Sequence, residues 1–302
     1  MAKVLVVGSI NMDLVIRIPR PPVPGETILG GDFETFPGGK GANQAVAASR
    51  MGGEVTMVGR VGTDNFGDTL IQGLVENRVK TTQVIKDSNA PSGIAMIAVT
   101  ADGENVVMVA SGANANVSVE DVSNTRTLMR ETDILMLQLE TPLEAVSEAV
   151  NLAKAYDVPV LLNPAPGQPL TKVLLSNVDY LTPNKNELLR IAEENQMDRA
   201  IHKLREWGVK NLIVTLGANG ARIITDEIDQ HLPAHEITAV DTTAAGDAFN
   251  GAMAVALAEG KPLMEAVEYG LAAGAVASTK RGAQPSLPTR DAVEDFRASQ
   301  PS

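Results

Sequence analysis

The chain has 302 residues, 44% hydrophobic and 21% charged, with a formal net charge of −12; this supports a large globular core and argues against disorder or membrane spanning. The acid excess disfavours nucleic acid as a partner, yet a small anionic ligand can still be held locally by backbone amides and one or two cations. With no cysteine, disulfides, thiolate metal sites and a cysteine nucleophile are excluded, and His202, His231 and His235 lack ligand or triad spacing, so acid–base work falls to carboxylates.

The opening "MAKVLVVGSINMD" reads as a first strand over 3–9 rather than a signal peptide, which makes a cytoplasmic protein the expectation. Two partly alternating stretches follow at 13–19 and 27–37, then a helix over 41–51, a strand over 54–62 and a helix over 66–77. A second alternating pair, 92–100 and 104–110, flanks an Asp-Gly hairpin signal in "ADGE" at 101–104. Beyond it the pattern is a strand over 133–140, a helix over 142–156, strands over 159–166 and 178–184, helices over 184–194 and 197–207, and a strand over 211–217. Helices over 248–259 and 262–280 complete it.

Apolar strands alternating with helices predict a doubly wound α/β fold, a mostly parallel sheet with helices on both faces. The chain 1–302 is expected to be a single domain, without internal repeats or a separating linker. The four alternating stretches lack intervening helices and predict a small antiparallel sheet, inserted at about 13–37 and 91–110. Its apolar face should close over a ligand as a lid or pair with another copy.

Ligands of open α/β sheets bind beyond the carboxyl ends of the strands. Asn11 and Asp13 follow the first predicted strand, Glu140 ends the strand over 133–140, Asn184 follows "DYLTP" and the segment 215–220 follows "NLIV", so one crevice can collect them. Asn11 and Asp13 share one side of an extended segment, placing an amide and a carboxylate where adjacent hydroxyls of a polyol could bind, with Glu140 as a further acceptor. In "FPGGKGANQAVAA" the glycines allow close backbone approach, Lys40 adds a charged donor, and Asn43 sits on the first helical turn. This is not a Walker A loop, because the G-x-x-x-x-G-K-[ST] spacing is missing.

The stretch "VDTTAAGDAFNG" puts small residues ahead of a helix. A helix beginning near Ala244 would leave the amides of Ala244, Ala245, Gly246 and Asp247 unpaired, forming an anion hole for a phosphoryl group in transfer. Asp247 there is a candidate general base. Each of these local patterns also has a purely structural reading, as a turn, a cap or a carboxylate complementing a helix dipole.

Taken together, "GSINMD", "GGKGANQAVAA", "MLQLETPLE", "NPAP", "TPNKNE", "VTLGANGA", "DTTAAGDAFNGA" and "KRGAQPS" resemble, in order and approximate spacing from residue 4 to about 290, the ribokinase-like or PfkB family of sugar kinases, which also contains fructokinases and adenosine kinase. The resemblance implies ATP-dependent phosphorylation of D-ribose at its 5-hydroxyl, with Asp247 as base and Ala244, Ala245 and Gly246 in the anion hole. It implies sugar contacts from Asn11, Asp13, Gly39, Lys40, Asn43, Glu140 and Asp247, and nucleotide contacts from Asn184, Thr215, Gly217, Gly220, Gly246 and Leu271. Glu187 would hold Mg²⁺ through water. Asp241, Thr243, Ala277, Lys280, Gly282 and Ser286 would surround K⁺, and the lid would form a homodimer contact. Leu271 stands where ribokinases of this family commonly place an asparagine near the adenine, and a leucine side chain cannot make that hydrogen bond.

The competing substrates within the fold are 2-deoxyribose, fructose and nucleosides, the last disfavoured by an aromatic content of 3%. A silent sugar or nucleotide sensor could dispense with Asp247, and a Rossmann dehydrogenase would need G-x-G-x-x-G after the first strand, which "VVGSINMD" lacks.

Overall fold

The computed structural model describes residues 1–100 and 105–300. Among these, thirteen strands form two sheets. They are β1 (Lys3–Val7), β2 (Asn11–Arg17), β3 (Phe33–Gly38), β4 (Glu54–Gly62), β5 (Lys80–Asp87), β6 (Gly93–Val99), β7 (Asn105–Ala110), β8 (Ile134–Leu137), β9 (Val160–Leu162), β10 (Tyr180–Leu181), β11 (Asn211–Thr215), β12 (Ala221–Ile224) and β13 (Asp229–Leu232).

The large sheet runs β13-β12-β11-β10-β9-β8-β1-β4-β5. All neighbours from β5 to β11 pair in parallel, while β12 and β13 extend one edge antiparallel. Strand alternation divides the core in two. Val4 and Val6 join the cluster beneath the helices Lys40–Arg50, Ala245–Ala258 and Leu263–Ser278, whereas Leu5 and Val7 join the one beneath Leu143–Ala155. Burial on both faces explains why β1, β4 and β8 read as continuous apolar runs. No helix among the described residues is long and apolar enough to cross a membrane.

Two helices set the geometry of the site. Lys40–Arg50 and Ala245–Ala258 pack at close range because both are built from alanine and glycine at the contact. A Cβ added to Gly251 would lie 2.5 Å from the Ala47 Cβ and 2.8 Å from the Ala48 nitrogen. No larger residue fits there without driving the helices apart.

The small sheet, in the order β3-β2-β6-β7, is the predicted lid. Each insertion is an antiparallel pair, but the seam between them, β2 with β6, is parallel. The fully antiparallel arrangement expected from the sequence therefore holds only within each pair; both seam strands leave the α/β body in the same direction. The Asp-Gly hairpin signal at 101–104 lies outside the described residues.

Candidate active site

The residues expected from the sequence to contact a sugar converge. Gly38, at the end of β3, pairs with Asn11 of β2, and a Cβ on Gly38 would fall 2.2 Å from the Asp13 carboxylate. Gly39 has φ 86° and its missing side chain makes room for the Asn11 backbone; this double glycine is what lets the lid strand and the Lys40 helix meet at Asp13. Asn11 is fixed from behind by Asn114, whose Nδ2 donates to its Oδ1 at 2.7 Å. Glu140 lies beyond the end of β8 and accepts from the Ser9 hydroxyl at 2.6 Å and the Lys40 amide at 3.2 Å.

Asp247 stands on the first turn of Ala245–Ala258 and is buried. Asn43 Nδ2 donates to its Oδ2 at 2.9 Å and Gln44 Nε2 to its Oδ1 at 3.0 Å. Burial pushes its carboxyl above the ordinary range, while the Lys40 charge and the two amide bonds pull it back. Burial also works against the Lys40 charge, but Asp247, Glu140, Glu187 and Asp13 outweigh it and hold the ammonium above its usual value. Asn43 Oδ1 is buried without a donor among the described residues. A cleft that presents an unfilled acceptor, three carboxylates and one lysine has the acceptors and the donor that hydroxyl groups can pair with.

The helix begins at Ala245, as the anion-hole reading requires and three residues before the span 248–259 given by the apolar pattern. Ala244 is the N-cap, in the left-handed region at φ 60°, and the Ala245 amide is not free: it donates to the Thr242 carbonyl at 3.2 Å. The turn "TTAA" over 242–245 folds back on itself and consumes that donor. The amides of Ala244, Gly246 and Asp247 have no partner carbonyl among the described residues, so the expected anion hole loses only the Ala245 donor.

Asn184 and Glu187 form a capping box, each side chain bonded to the other's backbone amide at 2.9 and 2.8 Å. Burial raises the Glu187 carboxyl, the Asn184 bond and Lys40 lower it, and Asp247 raises it again, which puts Glu187 within electrostatic reach of the cleft. Asn184 also bridges to Thr215, and Gly217 and Gly220 follow at φ 58° and 87°. Leu271 lines a separate cavity of about 720 Å³ with Leu232, Pro233, His235, Glu268 and Arg297.

Of the expected cation-loop residues, Asp241, Thr243 and Gly282 are brought together by hydrogen bonds. Asp241 accepts from the Thr243 and Gly282 amides, both at 2.9 Å. Burial works against its charge, but these bonds hold its carboxyl below the ordinary range. Two placements differ in kind from the rest. The Ala277 carbonyl accepts from the Lys280 amide at 3.1 Å, and the Ser286 hydroxyl donates to the Ala283 carbonyl at 2.8 Å. A cavity of about 390 Å³ joins Asp13 and Phe36 of the lid to Asp241, Thr243 and Gly282.

Sequence reasoning missed the residues behind Asp247: Gln44, Gln138, Asn163, Thr182 and Asn250, all buried and all hydrogen-bonded in one network. The signal was present, since Gln44 is a polar residue in an alanine-rich helix and Asn163 and Thr182 follow strands at the ligand end of the sheet.

Asp13 supplies a pH test. Burial, then Glu140 and Asp247, push its carboxyl up to about 7 from an ordinary 3.8, against Lys40. The folded state thus holds this proton more tightly than the unfolded one, so the stabilisation is complete below about pH 4 and is lost as pH rises through about 7. In denaturant titrations of the ligand-free protein, Asp13→Asn should match the parent near pH 4 and gain on it up to pH 7, by at most roughly 4 kcal/mol. A difference that does not vary across this interval contradicts the assignment.

Comparison with known proteins agrees with this fold. The family model for pfkB family carbohydrate kinases matches residues 1–290. A ribokinase of Haemophilus influenzae is 40% identical over 296 residues, covering 96% of this chain and 97% of its own. The crystal structure of a ribokinase from Thermotoga maritima superposes with a TM-score of 0.92 at 39% identity, covering 99% of this chain and all of that one. A ribokinase of Arabidopsis thaliana, solved in complex with ribose and ATP, gives 0.87 at 34% identity, covering 98% and 99%. The fold, the order of the motifs and the convergent cleft have one common explanation: this chain belongs to the pfkB family of carbohydrate kinases.

Proposed function

We propose that the chain transfers the terminal phosphoryl group of ATP to the 5-hydroxyl of D-ribose. The observation that carries this reading is the Asp247 carboxylate, buried on the first turn of a helix whose Gly246 and Asp247 amides are unpaired, beside a cleft of hydroxyl-binding groups. Full-length similarity to ribokinases supports ribose as the acceptor.

In this mechanism Asn11, Asp13, Lys40, Asn43, Glu140 and the Gly39 backbone hold the sugar hydroxyls. Asp247 takes the proton of the 5-hydroxyl as its oxygen bonds to the terminal phosphorus, and the bond from that phosphorus to the bridging oxygen breaks to release ADP. Charge on the moving phosphoryl oxygens is met by the Gly246 and Asp247 amides, with Ala244 and Ala245 keeping the approach narrow. Lys40, already paired electrostatically with Asp247, balances the carboxylates around the sugar.

Thr215, Gly217, Gly220 and Asn184 line the path of the nucleotide, and the cavity at Leu271 receives the base by apolar contact with Leu232 and Pro233. The donor set fits the expected ions. Glu187 commits only one carboxylate oxygen to Asn184 and so can hold a water of Mg²⁺, which when bound offsets phosphate charge. Asp241, with Thr243, Ala277, Lys280, Gly282 and Ser286, offers oxygen ligands suited to K⁺, which would stiffen the loop leading into the anion hole. As one α/β domain with a lid, the chain would pair as a homodimer through the lid face that exposes Phe33, Met96, Val106 and Met108. A consumer of ATP fits the cytoplasm.

Asp247→Asn should retain sugar and ATP binding by calorimetry while kcat falls about 10²–10⁴-fold, the usual contribution of a positioned base. ADP release measured over ribose, 2-deoxyribose, fructose and nucleosides should favour ribose; near-normal turnover by Asp247→Asn, or preference for another acceptor, contradicts the reading. Replacing K⁺ by Na⁺ should lower the rate of the parent but not of Asp241→Ala, and a parent indifferent to the ion removes the cation site.

A further inference from the structure

Behind the cleft, four buried side-chain amides and a hydroxyl connect the strand ends to the Asp247 helix. Asn163 Nδ2 donates to the Thr182 carbonyl at 3.0 Å, and Gln44 Nε2 donates to Asn163 Oδ1 at 3.0 Å. The same nitrogen donates to Asp247 Oδ1 at 3.0 Å, and Gln138 Nε2 donates to Gln44 Oε1 at 2.6 Å. Thr182 Oγ1 donates to Asn250 Oδ1 at 2.6 Å, and Asn250 Nδ2 to the Gly246 carbonyl at 2.7 Å. Gln44 and Gln138 are fully buried.

The chain can run in only one direction. A backbone carbonyl accepts and never donates, so the Thr182 carbonyl obliges Asn163 to turn its nitrogen toward it and its oxygen toward Gln44. That oxygen obliges Gln44 to present Nε2, and Gln44 Oε1 then obliges Gln138 to present its own nitrogen. Gln138 keeps this orientation although its Oε1 is left without a donor among the described residues, a cost a buried amide bears only where its other bond is well made. One proton of Gln44 Nε2 goes to Asn163; the other is committed to Asp247 Oδ1.

We infer that Gln44, held in orientation by Gln138, is a positioning residue that closes Oδ1 of Asp247 to protons and leaves Oδ2, beside Asn43, as the atom that takes the proton of the acceptor hydroxyl. An amide nitrogen cannot accept, so a proton arriving at Oδ1 would face a donor that Asn163 and Gln138 hold in place, whereas the Asn43 amide at Oδ2 has no partner on its own Oδ1 among the described residues and can turn that oxygen to accept from a protonated Oδ2. Gln44 touches neither substrate in this arrangement and acts through the carboxylate. The inference rests on the reading of Asp247 as the base.

The test compares kcat, sugar KM and the pH dependence of kcat in Gln44→Met, Gln138→Met and the double variant. Gln44→Met should lower kcat about 10–100-fold by loosening the geometry of the base, with sugar KM unchanged within about threefold. Its acid limb should move to higher pH by about one unit, because a hydrogen bond that favours the ionised carboxylate is lost. Gln138→Met should show the same changes more weakly, and nothing further when added to Gln44→Met, since it works through that residue. A role confined to core packing would lower the melting temperature without moving the acid limb.

Should Gln44→Met fail to fold, Gln44→Glu keeps the shape and puts a second carboxyl against Oδ1; its acid limb should also rise as the pair shares a proton. An unmoved limb in Gln44→Glu or Gln44→Met, or independent losses in the double variant, overturns the inference. The two readings separate cleanly: turnover surviving Asp247→Asn removes the base itself, whereas loss in Asp247→Asn with normal behaviour of Gln44→Met removes only the positioning role.

Discussion

A carboxylate buried on the first turn of a helix is costly unless its surroundings are arranged around it, and Asp247 sets that demand here. The answer comes from the neighbouring helix. Lys40–Arg50 approaches closely because Ala47 and Ala48 meet Gly251, and that closeness brings Asn43 and Gln44 to the two carboxylate oxygens while Lys40 supplies the compensating charge. Small residues at one contact and polar residues one turn earlier are thus parts of the same design. Loosening the first would strand the second.

The sheet provides the other half of the site. Parallel strands end together, so Ser9, Gln138, Asn163 and Thr182 present polar groups at one level although they lie far apart in sequence. Two insertions then rise from the body and join along a parallel seam, placing Asp13 and Phe36 opposite the Asp241 loop. A net charge of −12 is compatible with an anionic substrate, because the cleft brings together the unpaired amides of Gly246 and Asp247 and the Lys40 ammonium.

Much of this was legible in the sequence where a single force dominates. The strand over 54–62 has its predicted bounds because both its faces are buried, and the motif glycines announce the close approaches at Asp13. What escaped has physical causes. β5, "KTTQVIKD", is a half-exposed edge strand without an apolar run, and β12 and β13 extend the far edge where the pattern of strand followed by helix stops. The helix Arg290–Ser299 buries Val293 alone, too little to mark a face. The engaged Ala245 amide depends on a turn closed by Thr242, and the Gln44 network depends on partners about 90 to 200 residues away; neither leaves a local trace.

Every role proposed for the cleft depends on phosphoryl transfer at the tip of the Ala245–Ala258 helix. A crystal structure of the protein with ribose and a nonhydrolysable ATP analogue measures this directly. The terminal phosphate should sit against the Gly246 and Asp247 amides, with the ribose 5-oxygen within hydrogen-bonding distance of Asp247 Oδ2. A terminal phosphate bound away from that helix tip, or a 5-oxygen out of reach of the carboxylate, would contradict the account.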